Sequence, residues 1–153
     1  MTDEESKRDR QMIELLNELR IALPGVQILF AFLLTVPFSA RFNELTGFQR
    51  NVYYVTLIAT GLSAACLIAP SAAHRLRFHQ RERAWIIESA NQQLIAGLVF
   101  LAIALGCSVL LITDMMFDGV RVWIYSGAVI LCIVGLWFVR PLLRHLRGKA
   151  SGP

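Results

Sequence analysis

The chain has 153 residues, a formal net charge of +4 and a mean hydropathy of +0.54, with 56% apolar and 17% charged residues. This composition is more apolar than that of soluble domains and indicates a membrane protein. Most apolar residues fall in long runs, which leaves too few for a separate soluble domain. We therefore expect one membrane domain over residues 1–153.

The first twenty residues carry the pattern of an amphipathic helix. Apolar side chains recur at helical spacing, while the polar Glu14, Asn17 and Glu18 occupy another side; the apolar set is Met12, Leu15, Leu16, Leu19 and Leu23. A helix of this kind lies in the membrane interface. We expect it to form a cytoplasmic segment over residues 1–20.

Pro24 and Gly25 stand where this charged segment meets the first apolar run. Proline within a helix lacks a hydrogen-bond donor and clashes with the carbonyl four residues back, here that of Arg20. The preferred interpretation is a bend from the surface helix into the membrane. The alternative is a broken helix with a polar contact, in which Gln27 bonds a freed carbonyl or lines a pocket with Thr35.

Four apolar runs approach the roughly 20 residues that span a ~30 Å hydrocarbon layer. None contains Asp, Glu, Lys, Arg or His, and they cover residues 21–38, 52–70, 94–112 and 122–139. A capping box at Thr46 and Gln49 predicts where the second helix begins. The third helix is expected to begin ahead of its apolar part, near Arg81 to Trp85.

The second run carries small residues on one face, a pattern that lets membrane helices approach closely. The candidate packing face consists of Thr56, Thr60, Gly61 and Ala64. Packing within a four-helix bundle is the simpler interpretation. Self-association through this face is the alternative, so a homo-oligomer is an open expectation.

Twelve of the fifteen Lys and Arg residues lie before the first run, between the second and third, or in the tail 140–153. Because positive residues are retained on the cytoplasmic side, both termini are predicted to be cytoplasmic, in the inner membrane. Aromatic residues near the opposite ends agree with an outer interfacial belt of Tyr53, Tyr54, Trp123 and Tyr125.

The loop between the second and third runs is the most basic part of the chain. Retention on the cytoplasmic side explains it most simply. It could also contact anionic lipid, where each Arg contributes about 1 kcal/mol. The candidate contacts are Arg75, Arg77, Arg81 and Arg83. The loop is short and contains Glu82 and Glu88, so nucleic-acid binding is disfavoured.

No pattern in the chain points to catalysis, a metal or a cofactor. The three cysteines lie one in each of three runs, with no CxxC motif, and His74 and His79 are five residues apart in the basic loop. No nucleophile with His and Asp and no Gly-rich phosphate loop stands in a recognisable context. We expect a protein that is not an enzyme and binds no cofactor.

Three segments carry a family resemblance: ELLNELRIALPGVQILFAFLLTVPF, LTGFQRNVYYVTL and IAPSAAHRLRF. They resemble a family of small bacterial four-span membrane proteins with no established function. The resemblance covers roughly residues 12–115, and PGVQILFAFLLTVPF is its most specific part. Some relatives of this type are labelled sodium:proton antiporter, which would imply cation exchange across the cytoplasmic membrane. It brings no assigned ion-binding residues.

These observations predict an all-α integral membrane four-helix bundle with an N-terminal amphipathic helix. The preferred function is a structural or interaction component whose partners are the lipid bilayer, anionic lipids and further copies of itself. The alternative is a small oligomeric cation transporter. Proton-coupled exchange commonly uses an intramembrane Asp or Glu, and the four runs contain none. The candidate proton or cation sites are therefore Glu18 and Asp114, outside the runs.

Overall fold

The computed structural model describes residues 3–76, 83–140 and 143, without the side chains of 3–9, 11–12, 15–16, 18–19, 73–76 and 83–88. This part of the chain is 95% helical and contains no strand. Four of its helices are long and apolar enough to cross a membrane. The all-α prediction and the prediction of four spans are confirmed.

The first helix, α1, covers Asp3–Thr35 and is followed by two short 3₁₀ segments, Val36–Phe38 and Ala40–Glu44. The other three long helices are α2 (Gly47–Leu76), α3 (Arg83–Met116) and α4 (Val120–Val134). A single wider π-helical turn, Gly135–Val139, extends α4. Gly119 stands in the connection from α3 to α4 with a φ of 67°, a left-handed conformation that favours glycine.

The candidate membrane spans contain the four predicted apolar runs. They are Arg20–Phe38, Gly47–Ala72, Ser89–Met116 and Val120–Val139. The second and third spans have 26 and 28 residues, more than the roughly 20 that a bilayer requires. These helices therefore continue beyond their apolar runs, and Asp114 lies inside the third span.

Pro24 lies inside α1, which is helical from Asp3 to Thr35. The broken-helix alternative at Pro24 and Gly25 is therefore corrected, because the helix continues through both residues. A single proline removes one backbone hydrogen bond, and the turns on either side keep theirs. Membrane helices tolerate such a residue for this reason. The predicted bend of the helix axis stays a prediction.

The described residues fall into two compact units. The first contains α1 and its 3₁₀ segments with Leu57–Leu101, and the second contains Thr46–Thr56 with the chain from Ala102 onward. In the first unit, Val26, Leu67 and Leu94 form a buried cluster from three helices. Partly buried residues surround the cluster, namely Ala22, Leu23, Ala64 and Leu101. In the second unit, polar contacts join the helices and form the candidate site.

Candidate functional site

The N-terminus of α2 is closed by a capping box. The Thr46 backbone N–H donates to Gln49 Oε1 at 3.1 Å, and the Gln49 backbone N–H donates to Thr46 Oγ1 at 3.2 Å. Two backbone donors that the helix itself cannot satisfy are thereby paired. The predicted capping box and the start of the second helix are confirmed.

Gln49 also connects α2 to α3. Its amide nitrogen Nε2 donates to the Asp114 carboxylate oxygen Oδ2 at 2.9 Å, across 65 residues of sequence. The glutamine side chain thus uses its amide oxygen in the cap and its amide NH₂ group in the interhelical bond. A hydrogen bond to a charged acceptor is stronger than one between neutral groups, so this contact ties the start of α2 to the end of α3.

A pair of hydroxyl groups connects α3 to α4 in the same unit. Thr113 Oγ1 and Ser126 Oγ are 2.8 Å apart, and either atom can donate. Each oxygen also lies within hydrogen-bonding distance of carbonyls one turn back in its own helix. Ser126 is buried with 2% of its surface exposed. This contact secures α4 to α3 one residue away from Asp114.

In the first unit, α2 and α3 approach closely at Gly97. The buried Ser63 hydroxyl donates to the Gly97 carbonyl at 2.8 Å. A Cβ atom added to Gly97 would stand 2.8 Å from both Cγ and Cδ2 of Leu67, which is fully buried. A glycine is therefore required here for steric reasons.

The predicted packing face of α2 lies within the chain. Thr56 and Thr60 have no exposed surface, and Ala64 packs beside the buried cluster. A Cβ atom on Gly61 would be in ordinary contact with the Phe30 ring at 3.6 Å. The buried side of α2 follows alternating steps of three and four residues through Tyr53, Thr56, Thr60, Ser63, Leu67 and Pro70. These residues serve packing inside one chain, which leaves none of this stripe free for another copy.

The alternative polar contact beyond the proline does not form among the described residues. Gln27 is exposed, and the Thr35 hydroxyl donates to the Phe32 carbonyl of its own helix at 2.7 Å. Gly25 is also exposed, and a Cβ atom there would meet nothing within 4 Å. The pocket of Gln27 and Thr35 in this alternative is therefore corrected, because both residues are exposed.

Tyr53 departs from the predicted aromatic belt. It has no exposed surface, whereas Tyr54, Trp123 and Tyr125 are 49%, 65% and 48% exposed. Consecutive helical residues point about 100° apart, so Tyr53 can lie on the packed side of α2 while Tyr54 faces outward. Three of the four predicted aromatic residues are available to an interface, and the fourth belongs to the packed side of α2.

Several predicted site residues lie outside the described part of the chain. Arg77 and Arg81 fall in the gap 77–82, and the tail after residue 140 is described only at Leu143. The backbones of Glu18, Arg75 and Arg83 lie in helices, but their side chains are outside the description. Among the residues that are described, no group of three His, Cys, Asp or Glu could hold a metal ion.

Residues 2–141 match DUF6328, a family of unknown function. The chain belongs to this family. The DUF6328 match extends over all four long helices and therefore over every contact described above. No curated protein matches the chain. No solved structure matches it either.

Sequence reasoning missed three interhelical bonds of this DUF6328 chain. The first joins Gln49 to Asp114, the second joins Ser63 to Gly97, and the third joins Thr113 to Ser126. A signal for the first exists, because a capping-box glutamine keeps its amino group free for another acceptor. The second has only the general signal of small residues on both helices. None of the three pairs could be chosen without the register between the helices.

Proposed function

We propose that this DUF6328 protein is a non-enzymatic structural or interaction component of the cytoplasmic membrane, with both termini in the cytoplasm. The observation that carries the proposal is that the buried polar side chains are hydrogen-bonded within the chain. Within the described residues, every buried side-chain nitrogen or oxygen atom has a hydrogen-bond partner. Thr113, Ser126 and Ser63 bond to other helices of the same chain. Their bonds hold helices together instead of leaving groups free along a transport route.

The charge distribution supports the orientation. Twelve positive residues fall on the proposed cytoplasmic side and three on the other. An asymmetry of this kind determines the orientation in which a membrane protein inserts. Trp123 and Tyr125, near the start of α4, are exposed at the proposed outer interface. The basic loop with Arg75, Arg77, Arg81 and Arg83 then belongs to the cytoplasmic side, which makes the anionic lipid of the inner leaflet the proposed membrane partner.

Asp114 favours a second candidate function, a small cation transporter. It is a carboxylate inside the third candidate span, and an ionisable residue within a membrane span commonly marks an ion pathway. The resemblance to bacterial proteins labelled sodium:proton antiporter points the same way. Against it, the Asp114 carboxylate accepts a bond from Gln49 two residues before the end of α3, near an end of the span.

Ion flux distinguishes the two candidates. The test is dissipation of a pH gradient on adding sodium, potassium or lithium to vesicles that contain only this protein, beside empty vesicles. We expect no flux above the empty control. Helical content measured in the same vesicles confirms that the protein is folded. Cation-dependent flux would overturn the structural role in favour of transport.

Two variants of Asp114 sharpen this test. Asp114→Asn removes the charge and keeps an oxygen that accepts from Gln49, whereas Asp114→Leu removes both. If Asp114 has a structural role, Asp114→Asn keeps most of the wild-type stability, because a neutral acceptor remains, and Asp114→Leu lowers it further. If Asp114 is a transport site, both variants lose flux. The two variants then differ from each other only in stability. Glu18→Gln is the matched control for the other predicted acidic site.

A further inference from the structure

Within its membrane span, α1 contacts the rest of the chain along one side only. Val26 and Leu33 are its buried residues, with 0% and 7% of their surfaces exposed. In the most apolar part of the span Arg20–Phe38, 11% of residues are buried, against 33% in the corresponding part of the α2 span. Most of the α1 surface at membrane depth therefore faces outward.

One outward strip of α1 has the spacing of a helix-packing seam. Its residues follow one another at steps of four, three, four and three, and all are exposed: Arg20, Pro24, Gln27, Ala31 and Leu34. This alternation keeps side chains along one line of a helix that packs against another at a small crossing angle. We call this strip the Gln27 face. A different outward strip carries Ile21, Ile28 and Phe32.

Gln27 is a polar side chain inside the first candidate span. It lies seven residues beyond Arg20, which corresponds to about 10 Å of helical rise into the span. Its amide is exposed, and the described part of the chain provides it with no hydrogen bond. Lipid tails offer no donor or acceptor, so an amide at this depth is stabilised by a partner within the membrane.

We propose that the Gln27 face binds the same face of a second copy of this chain, with the two Gln27 amides bonded to each other. Each amide has both a donor and an acceptor, so two of them pair reciprocally across a two-fold axis. Copies inserted with one topology place Gln27 at the same depth, which this pairing requires. The small Ala31 lets the helices approach one turn further along. This inference rests on the proposed interaction role and names its partner.

The packing of α2 favours α1 over the small-residue face as the dimer seam. The sequence offers the small-residue face of α2 as the alternative seam. Thr56 and Thr60 of that face are buried inside the chain. The strip of Ile21, Ile28 and Phe32 is entirely apolar, so lipid solvates it without a partner. Gln27 is the feature of α1 that lipid does not satisfy, and it lies in the middle of the seam.

The test measures self-association of the full chain in vesicles of phosphatidylethanolamine and phosphatidylglycerol. Energy transfer between donor- and acceptor-labelled copies is followed as lipid dilutes the protein. We expect association in the wild type and a dissociation constant raised about fivefold to tenfold in Gln27→Leu. Gln27→Asn retains the amide and should keep association. Ile28→Leu, on the other strip, should leave it unchanged.

Cross-linking tests the same seam with Gln27 intact. In a background with Cys66, Cys107 and Cys132 replaced by alanine, single cysteines at Ala31 or Leu34 should form intermolecular disulfides on oxidation. Single cysteines at Ile28 or Phe32 should not. Helical content by circular dichroism confirms folding of each variant.

Three results would overturn the proposal. They are a wild type that stays monomeric at the highest protein density, an unchanged dissociation constant in Gln27→Leu, and cross-linking that favours Ile28 or Phe32. These results leave the flux measurement untouched, so failure of the dimer is separable from failure of the structural role. A dimer that also transports cations would overturn the structural role and keep the seam.

Discussion

Replacing Gly97 with alanine adds a methyl group directly against the Leu67 side chain. The added Cβ atom would stand 2.8 Å from Leu67 Cγ and Cδ2 and 3.4 Å from Cys66 Cβ. Leu67 has no exposed surface and packs with Val26 and Leu94, so it has no free space to move into. Relief therefore requires α2 and α3 to separate, which also stretches the bond from Ser63 to the Gly97 carbonyl.

The magnitude follows from three terms. Overpacking a filled interior costs about 1–3 kcal/mol. An interhelical hydrogen bond in a membrane protein contributes about 0.6 kcal/mol, part of which is lost. Alanine is a better helix former than glycine by about 1 kcal/mol, which opposes the other two. We expect Gly97→Ala to lower the free energy of unfolding by about 1–2 kcal/mol.

Gly127 in α4 provides the matched control. A Cβ atom there would meet nothing within 4 Å, so Gly127→Ala keeps the helix-propensity gain without the clash. Both variants are compared by unfolding with sodium dodecyl sulfate in mixed micelles, followed by far-ultraviolet circular dichroism. The steric argument fails if Gly97→Ala is as stable as Gly127→Ala. The double variant with Leu67→Ala should lose less stability than the two single changes added together, because the methyl group then has space.

Three further changes test the contacts of α1, α2 and α4. Gln49→Ala should lower stability by about 1–2 kcal/mol, more than Asp114→Asn, because it removes half of the capping box as well as the interhelical donor. Ser126→Ala should cost about 0.6 kcal/mol in the same micelle titration, and equal stability would show that its hydroxyl bond contributes nothing. Pro24→Ala should straighten α1 without preventing membrane insertion; unchanged accessibility of cysteine probes along residues 12–20 would contradict the bend.

Local signals in the sequence were sufficient for the helices and their ends. The capping box places the start of α2 because Thr46 and Gln49 act on each other within one turn. The spans follow from apolar runs that the bilayer requires. The chain is already helical at Arg83, the first described residue of α3, inside the predicted interval. Such features depend on neighbouring residues, which the sequence displays directly.

Contacts between helices were beyond the same reasoning. Whether Tyr53 or Tyr54 faces the interior depends on how α2 rotates about its axis, and hydropathy does not decide between two tyrosines. Gly97 is one of ten glycines in the chain, and only its position opposite Leu67 makes it sensitive to substitution. Proline disfavours a helix locally, but the hydrogen bonds of the turns around Pro24 let α1 continue.

The double use of Gln49 has a consequence for the order in which the protein matures during synthesis. Its cap to Thr46 needs three neighbouring residues, but the acceptor for its amino group is made 65 residues later. The second span therefore enters the membrane with a start that is capped and not yet attached. Attachment follows when Asp114 emerges at the end of the third span. Translation that pauses before this aspartate would leave α2 held by its packing against α1, with its N-terminal end not yet bonded to α3.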